Sequence, residues 1–131
     1  KAREAAAAMA DAVGIGSLVG LQATDLSGGE KQKLAIARAL VRVPQVLFLD
    51  EPCANLDGKS TRDIEAILTT ARARGTRIVM STHNVAQARR LADDVLFLYR
   101  GLLHEAAPSP AFFDTPTTPE ALAYINGDLL P

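Results

Sequence analysis

One cysteine, Cys53, stands in 131 residues, which excludes an intrachain disulfide framework and a multi-cysteine zinc site. An excess of either charge is also missing. Fourteen Lys and Arg face fifteen Asp and Glu, for a net charge of −1. That balance lacks the broad basic field used to hold nucleic acid, so no nucleic-acid partner is expected. No apolar run approaches the ~18–20 residues of a membrane span, and any membrane role is expected to work through a partner. A charged-then-apolar secretory signal is absent, and so is an initiator methionine. The chain opens Lys1-Ala2-Arg3, and the expectation is that its natural N-terminus lies upstream. What the chain does have is 48% hydrophobic and 22% charged residues, a composition for one packed domain at most. A complete domain of this size buries roughly two-thirds of its unfolded surface.

The first stretch has helical period, with Ala5, Ala8, Met9, Ala12 and Val13 forming one apolar stripe. Gly14, Gly16 and Gly20 break it into a loop that reaches Asp25. Ser27, with Glu30 three residues on, has the pattern of a capping box opening a second helix, and Pro44 ends it. Leu34, Ala37 and Val41 mark one face of that helix; Ile36 and Leu40 add a second. Val46-Leu47-Phe48-Leu49 is an unbroken apolar run, which predicts a parallel strand covered on both faces. Asp57 is placed to cap the next helix, with Ile64, Ile67, Leu68 and Ala71 inward and Gly75 as its stop. Arg77 to Ser81 reads as a second strand, and Asn84 caps a short helix. Val95 to Tyr99 reads as a third strand, which turns at Gly101 to pair with Leu102 to Ala106. Four prolines then punctuate short helical pieces around Phe112-Phe113 and Glu120 to Ile125. Alternating strands and helices predict an α/β fold with a mostly parallel sheet.

Three places carry chemistry. In Leu26-Ser27-Gly28-Gly29-Glu30, two glycines leave backbone N–H groups uncovered at a helix start, which suits a phosphate; the plain alternative is a capping box with turn glycines. In Leu47-Phe48-Leu49-Asp50-Glu51-Pro52, two acids follow a buried parallel strand, where open α/β sheets bind ligands. One carboxylate there can hold Mg²⁺ and the next can orient a water, although solvated acids before a proline turn would read the same. His83 follows the Ile78-Val79-Met80 strand, where an imidazole can donate to a terminal phosphate or simply pack at a helix start.

In this order and spacing, with Ala54-Asn55-Leu56-Asp57 between the acids and His83, these residues resemble the ATP-binding cassette ATPases, the motor subunits of ABC transporters. The resemblance covers most of residues 20–106. It places Ser27, Gly28 and Gly29 in the signature motif, Asp50 and Glu51 in Walker B, Ala54 to Asp57 in the D-loop, and His83 as the switch histidine. Ala35-Ile36-Ala37-Arg38-Ala39-Leu40 is similar to the signature helix. The implied fold is a parallel-sheet P-loop NTPase core, RecA-like, with part of the helical signature subdomain. Residues 1–42 would be the signature subdomain, 43–106 the Walker B, D-loop and switch core, and 107–131 a C-terminal helical tail.

The implied cofactors are ATP and Mg²⁺. By resemblance, Asp50 orders the metal, Glu51 is the general base for the attacking water, and His83 contacts the γ-phosphate. Ser27, Gly28 and Gly29 would serve ATP held by a second cassette, in a homo- or heterodimer, with Asp57 coupling the two sites. The remaining implied partners are transmembrane permease subunits and a solute-binding protein, at the cytoplasmic face of the membrane. The tail, with Phe112-Phe113-Asp114 and Ala121-Leu122-Ala123-Tyr124-Ile125, resembles importer cassettes for small oxyanions such as tungstate or phosphate.

The departures matter as well. Asn55 stands where Ala is common in the D-loop, and Lys31-Gln32-Lys33 continues the signature where Gln and Arg are commoner. No Gly-x-x-x-x-Gly-Lys-Ser/Thr phosphate loop precedes the signature, and no Q-loop glutamine region is present. Gly58-Lys59-Ser60-Thr61 resembles the end of such a loop, but its first glycine would fall on Cys53, so it reads as a helix's first turn. The phosphate-loop strand of the family lies mid-sheet, and its absence is expected to leave open strand edges. The 131 residues are therefore expected to be the C-terminal portion of a larger cassette, inactive alone. The alternative is a non-catalytic module that donates its signature face to a partner.

Overall fold

A computed structural model describes residues 1–128. The chain divides into two compact units, one over Lys1–Ser81 and one from Thr82 onward.

The first unit runs α1 (Ala2–Ala12), two 3-10 turns (Gly16–Leu18 and Ala23–Asp25), α2 (Gly28–Leu40), β1 (Val46–Asp50), α3 (Gly58–Ala73) and β2 (Arg77–Ser81). Alanine's high helix propensity forms α1 without help from a side-chain cap. Its buried face differs from the expected stripe. Ala10 and Val13 are buried and Met9 is half-buried, while Ala5, Ala8 and Ala12 are exposed. An alanine run has little hydrophobic contrast, so the larger Val13 and Ile15, packed with Ala37 of α2, choose the face. The main core gathers Ile36 and Leu40 from α2, Leu47 from β1, and Ile64, Leu68 and Ala71 from α3. Both expected faces of α2 are represented in these clusters.

Strands β1 and β2 pair in parallel with Val46 opposite Arg77 and Asp50 opposite Ser81. The hydroxyl of Thr76 donates to the Pro44 carbonyl at 3.0 Å, fixing the start of the ladder. The parallel pairing follows the sequence reading, but the two-sided covering does not. Leu47 is buried, whereas Phe48 on the opposite face is 75% exposed and Val46 and Val79 are exposed with it. Side chains alternate across a strand, and α2 and α3 cover one face. Among the described residues the sheet has only these two strands, so each keeps one open edge.

The second unit runs α4 (Val85–Leu91), β3 (Asp94–Tyr99), β4 (Leu102–Pro108), α5 (Ser109–Asp114) and α6 (Pro119–Asn126). Strands β3 and β4 form an antiparallel hairpin with a register shift between Phe97 and Leu98. Arg100 and Gly101 both have positive φ, as a two-residue primed turn requires. Phe97, Phe112, Phe113 and Ala121 make the core, so Phe112-Phe113 is packing. The buried Glu105 carboxylate accepts from the Thr117 and Thr118 N–H groups and the Thr118 hydroxyl, anchoring the start of α6. No helix among the described residues is long and apolar enough to cross a membrane.

Candidate active site

The parallel register brings three polar residues to the carboxyl end of the β1–β2 pair. Asp50 and Ser81 are Cα partners, and Glu51 follows directly. The Ser81 hydroxyl donates to Asp50 Oδ1 at 2.5 Å and accepts from the Glu51 backbone N–H at 3.1 Å. That same N–H also donates to the Ser81 carbonyl at 3.1 Å. Glu51 has φ of 46°, a left-handed conformation that costs a non-glycine residue about 1–3 kcal/mol and needs surrounding contacts to hold it. The Ser81 bonds are such contacts. The turn then aims the two successive carboxylates differently: Asp50 is exposed in line with the strand, and Glu51 is half-buried beyond it. An open hollow of about 310 Å³, lined by Phe48, Leu49, Asp50, Val79 and Ser81, adjoins this edge.

A second group forms where α2 and α3 begin. Ser27 caps α2 as predicted: its hydroxyl oxygen accepts from the Glu30 N–H at 3.3 Å, and its own N–H donates to Glu30 Oε2 at 2.8 Å. The Ser27 N–H, ahead of the Ser27 hydroxyl, holds the Glu30 carboxyl below its usual range. The capping box and the phosphate-facing reading are compatible, because the box uses the N–H of Glu30 and helix geometry gives the Gly28 and Gly29 N–H groups no partner within the helix. Gly29 has a packing reason of its own. A Cβ there would lie 2.5 Å from Ser60 Oγ and 2.9 Å from Ser60 Cβ, so only glycine lets the two helix starts approach. At Gly28 a Cβ would meet only Leu56, at 3.9 Å.

Asp57 caps α3. Its carboxylate accepts from the Lys59 and Ser60 N–H groups at 2.8 and 2.9 Å and from the Ser60 hydroxyl at 2.9 Å. The Ser60 bonds, ahead of Lys59's, hold its carboxyl below the usual range. The place where a phosphate would sit at the start of α3 is thus filled by the chain's own carboxylate, and Gly58-Lys59-Ser60-Thr61 is a capped first turn. Asn55 has φ of 60°, a left-handed position that asparagine tolerates far better than alanine. The Asn55 departure therefore has a backbone cause.

His83 belongs to the second unit and is exposed. Its flanks are held: the Thr82 hydroxyl donates to Gln87 Oε1, the Asn84 N–H donates to the Thr82 hydroxyl, and Asn84 Oδ1 accepts from the Gln87 N–H. The structure therefore places Asp50 with Glu51, and Gly29 beside the Asp57–Ser60 turn. Ser81 was not singled out from sequence. Its signal was available in two equal-length apolar strands, each ending on a polar residue, once their parallel register is known.

The donor set fits a magnesium ion of one kind. Mg²⁺ keeps several waters and leans on one or two carboxylates and on substrate phosphates. Asp50 supplies one exposed carboxylate, and among the described residues no group of three or more His, Cys, Asp or Glu side chains forms an all-protein cage.

A family model described as ABC transporter matches residues 1–54. The phosphate import ATP-binding protein PstB 2 of Natronomonas pharaonis is 42% identical over 120 residues, covering 92% of this chain and 42% of that protein. The phosphate import ATP-binding protein PstB of Thermococcus kodakarensis is 46% identical over 105 residues, covering 80% of this chain and 41% of that protein. The chain thus spans about two-fifths of the length of these curated relatives. The solved ADP conformation of an ATP-binding cassette of an ABC transporter matches with a TM-score of 0.82 at 21% identity, covering 95% of this chain and 50% of that one. At that identity the likeness speaks for the fold alone. The family match and the sequence relatives agree in kind, and this chain is similar to the ATP-binding cassette proteins of ABC transporters, with the α/β fold of such a cassette.

Proposed function

We propose that this chain serves ATP hydrolysis that powers the import of a small oxyanion through membrane permease subunits. The observation that carries the chemistry is the pair of carboxylates, Asp50 and Glu51, at the carboxyl end of a parallel strand and tied to Ser81. Phosphate as the transported anion rests on the names of the relatives.

Phosphoryl transfer to water needs positioning and charge stabilisation more than covalent chemistry. In this reading Glu51 takes the proton of the attacking water, and Asp50 holds Mg²⁺ on the nucleotide. The bound metal supplies neutralisation of the charge on the phosphate oxygens. His83 donates to the γ-phosphate. Ser27 and the N–H groups of Gly28 and Gly29 face the triphosphate of a second cassette, and Asp57, at the neighbouring helix start, couples the two sites. The sequence contains no phosphate loop ahead of α2, so the 131 residues alone are expected to be inactive. Catalysis then requires the phosphate loop on the same full-length chain, working as a peripheral subunit at the cytoplasmic face beside permease subunits to which a solute-binding protein delivers the anion.

The test is the full-length protein with Glu51→Gln. Loss of a general base lowers turnover by roughly 10²–10⁴-fold, while ATP binding should stay within about threefold of wild type because the amide keeps the shape of the carboxylate. Turnover close to wild type in the variant would remove Glu51 from the role of base.

A further inference from the structure

We propose that Ser81 is a positioning residue for this reaction, setting the Asp50 carboxylate and the Glu51 backbone in one fixed relation. The proposal rests on the hydrolytic reading above. Its ground is the directional use of a single hydroxyl. The proton of Ser81 Oγ goes to Asp50 Oδ1, and a lone pair of the same oxygen accepts the Glu51 N–H. The two bonds are mutually consistent, because a hydroxyl donates once and accepts with what remains.

Each bond fixes something the chemistry needs. The first selects the rotation of the Asp50 carboxylate, whose other oxygen is then aimed by the same bond. The second helps hold Glu51 in its left-handed conformation, which decides where the side chain of the proposed base departs from the sheet. The backbone of β2 contributes too, since the Ser81 carbonyl accepts the same Glu51 N–H. That contact survives any substitution at 81. Removing the hydroxyl therefore frees the Asp50 carboxylate entirely and the Glu51 backbone only in part. Metal placement should suffer directly, with less effect on the fold.

A plain strand-end serine would predict otherwise. If Ser81 only terminated β2, valine would serve as well or better, having the higher strand propensity. Threonine keeps the hydroxyl and valine copies its shape without it, so the pair separates hydrogen bonding from packing.

The experiment compares full-length wild type with Ser81→Ala, Ser81→Val and Ser81→Thr. Mn²⁺ serves as the probe, and its half-saturation of the ATP-bound protein is read by electron paramagnetic resonance alongside steady-state phosphate release. Far-UV circular dichroism checks that each variant is folded. Ser81→Ala and Ser81→Val should raise the half-saturating Mn²⁺ concentration on the order of 10-fold, as loss of a group that orients a metal ligand does, with turnover reduced as well. Ser81→Thr should stay within about threefold of wild type on both readouts. Unchanged Mn²⁺ half-saturation in folded Ser81→Ala and Ser81→Val overturns the proposal whatever the turnover does. So does a threonine variant as impaired as the valine one. The two readings fail separately: a wild type that does not hydrolyse ATP, or a Glu51→Gln variant that does, refutes the hydrolytic assignment. A wild type and Glu51→Gln that behave as proposed, beside an unaltered Ser81→Ala, refute the role of Ser81 alone.

Discussion

Two adjacent glycines at the start of α2 should respond to alanine in opposite ways. At Gly28 an added Cβ meets nothing closer than Leu56 at 3.9 Å, an ordinary contact. Alanine there should keep its helix-propensity advantage, up to about 1 kcal/mol of stabilisation in a helix interior and less in a first turn. At Gly29 the new Cβ would stand 2.9 Å from Ser60 Cβ, an atom fixed by the backbone of α3, as well as 2.5 Å from Ser60 Oγ. Rotating the hydroxyl relieves only the second clash, and it breaks the 2.9 Å bond to Asp57. The two helix starts must therefore part. Overpacking of this kind costs about 1–3 kcal/mol, which exceeds the propensity gain and leaves Gly29→Ala destabilised by roughly 1–2 kcal/mol. Urea unfolding of the full-length protein, followed by far-UV circular dichroism, compares the midpoints at equal slope. Adding Ser60→Gly to Gly29→Ala should recover part of the loss through a favourable coupling, since the two sites touch. Equal stability of the Gly28→Ala and Gly29→Ala proteins would refute the packing argument and leave both glycines to the ligand alone.

Two further outcomes follow from buried and capping carboxylates. Glu105→Ala leaves the Thr117 and Thr118 N–H groups without their acceptor and should lower stability by about 2 kcal/mol, with Glu105→Gln milder because its carbonyl still accepts, as thermal unfolding would show. Glu30 and Asp57, held down by cap bonds, and Asp63, held down chiefly by its hydrogen bond to Lys33, all have folded pKa values below their ordinary ones. Their stabilisation is complete above the unfolded values near 4–4.5 and is lost as pH falls through the lower folded values. Glu30→Gln removes one of these titrating carboxyls, so its unfolding midpoint should fall less steeply than wild type as pH drops from about 4.5 toward 2.

Much of this architecture is legible in sequence because it is local. The Ser27, Asp57 and Asn84 caps, the stop at Gly75 and both strands of the parallel pair depend on neighbours within a few residues. The acids after β1 are legible for the same reason: a strand's end fixes where the next side chains stand. Contacts between distant segments are not. Nothing near Gly29 names Ser60 as the atom it must clear, and nothing near Asp50 names Ser81, thirty-one residues on, as its partner. The exposed Phe48 has another cause. An unbroken apolar run shows that both faces of a strand avoid water, and α2 and α3 supply cover for only one of them. The misplaced stripe of α1 comes from composition, because alanines alone give the helix no preferred side.

One measurement reaches the proposed division of labour most directly: ATP turnover by mixtures of two inactive full-length variants, Glu51→Gln and Ser27→Arg. The first keeps a sound signature and loses its base; the second keeps its base and carries a bulky cation at the start of α2. In a randomly mixed two-fold dimer, half the molecules are heterodimers with one sound site, so roughly a quarter of wild-type turnover should return on mixing. Turnover no greater than the two variants show separately would contradict a signature that acts on a partner's nucleotide.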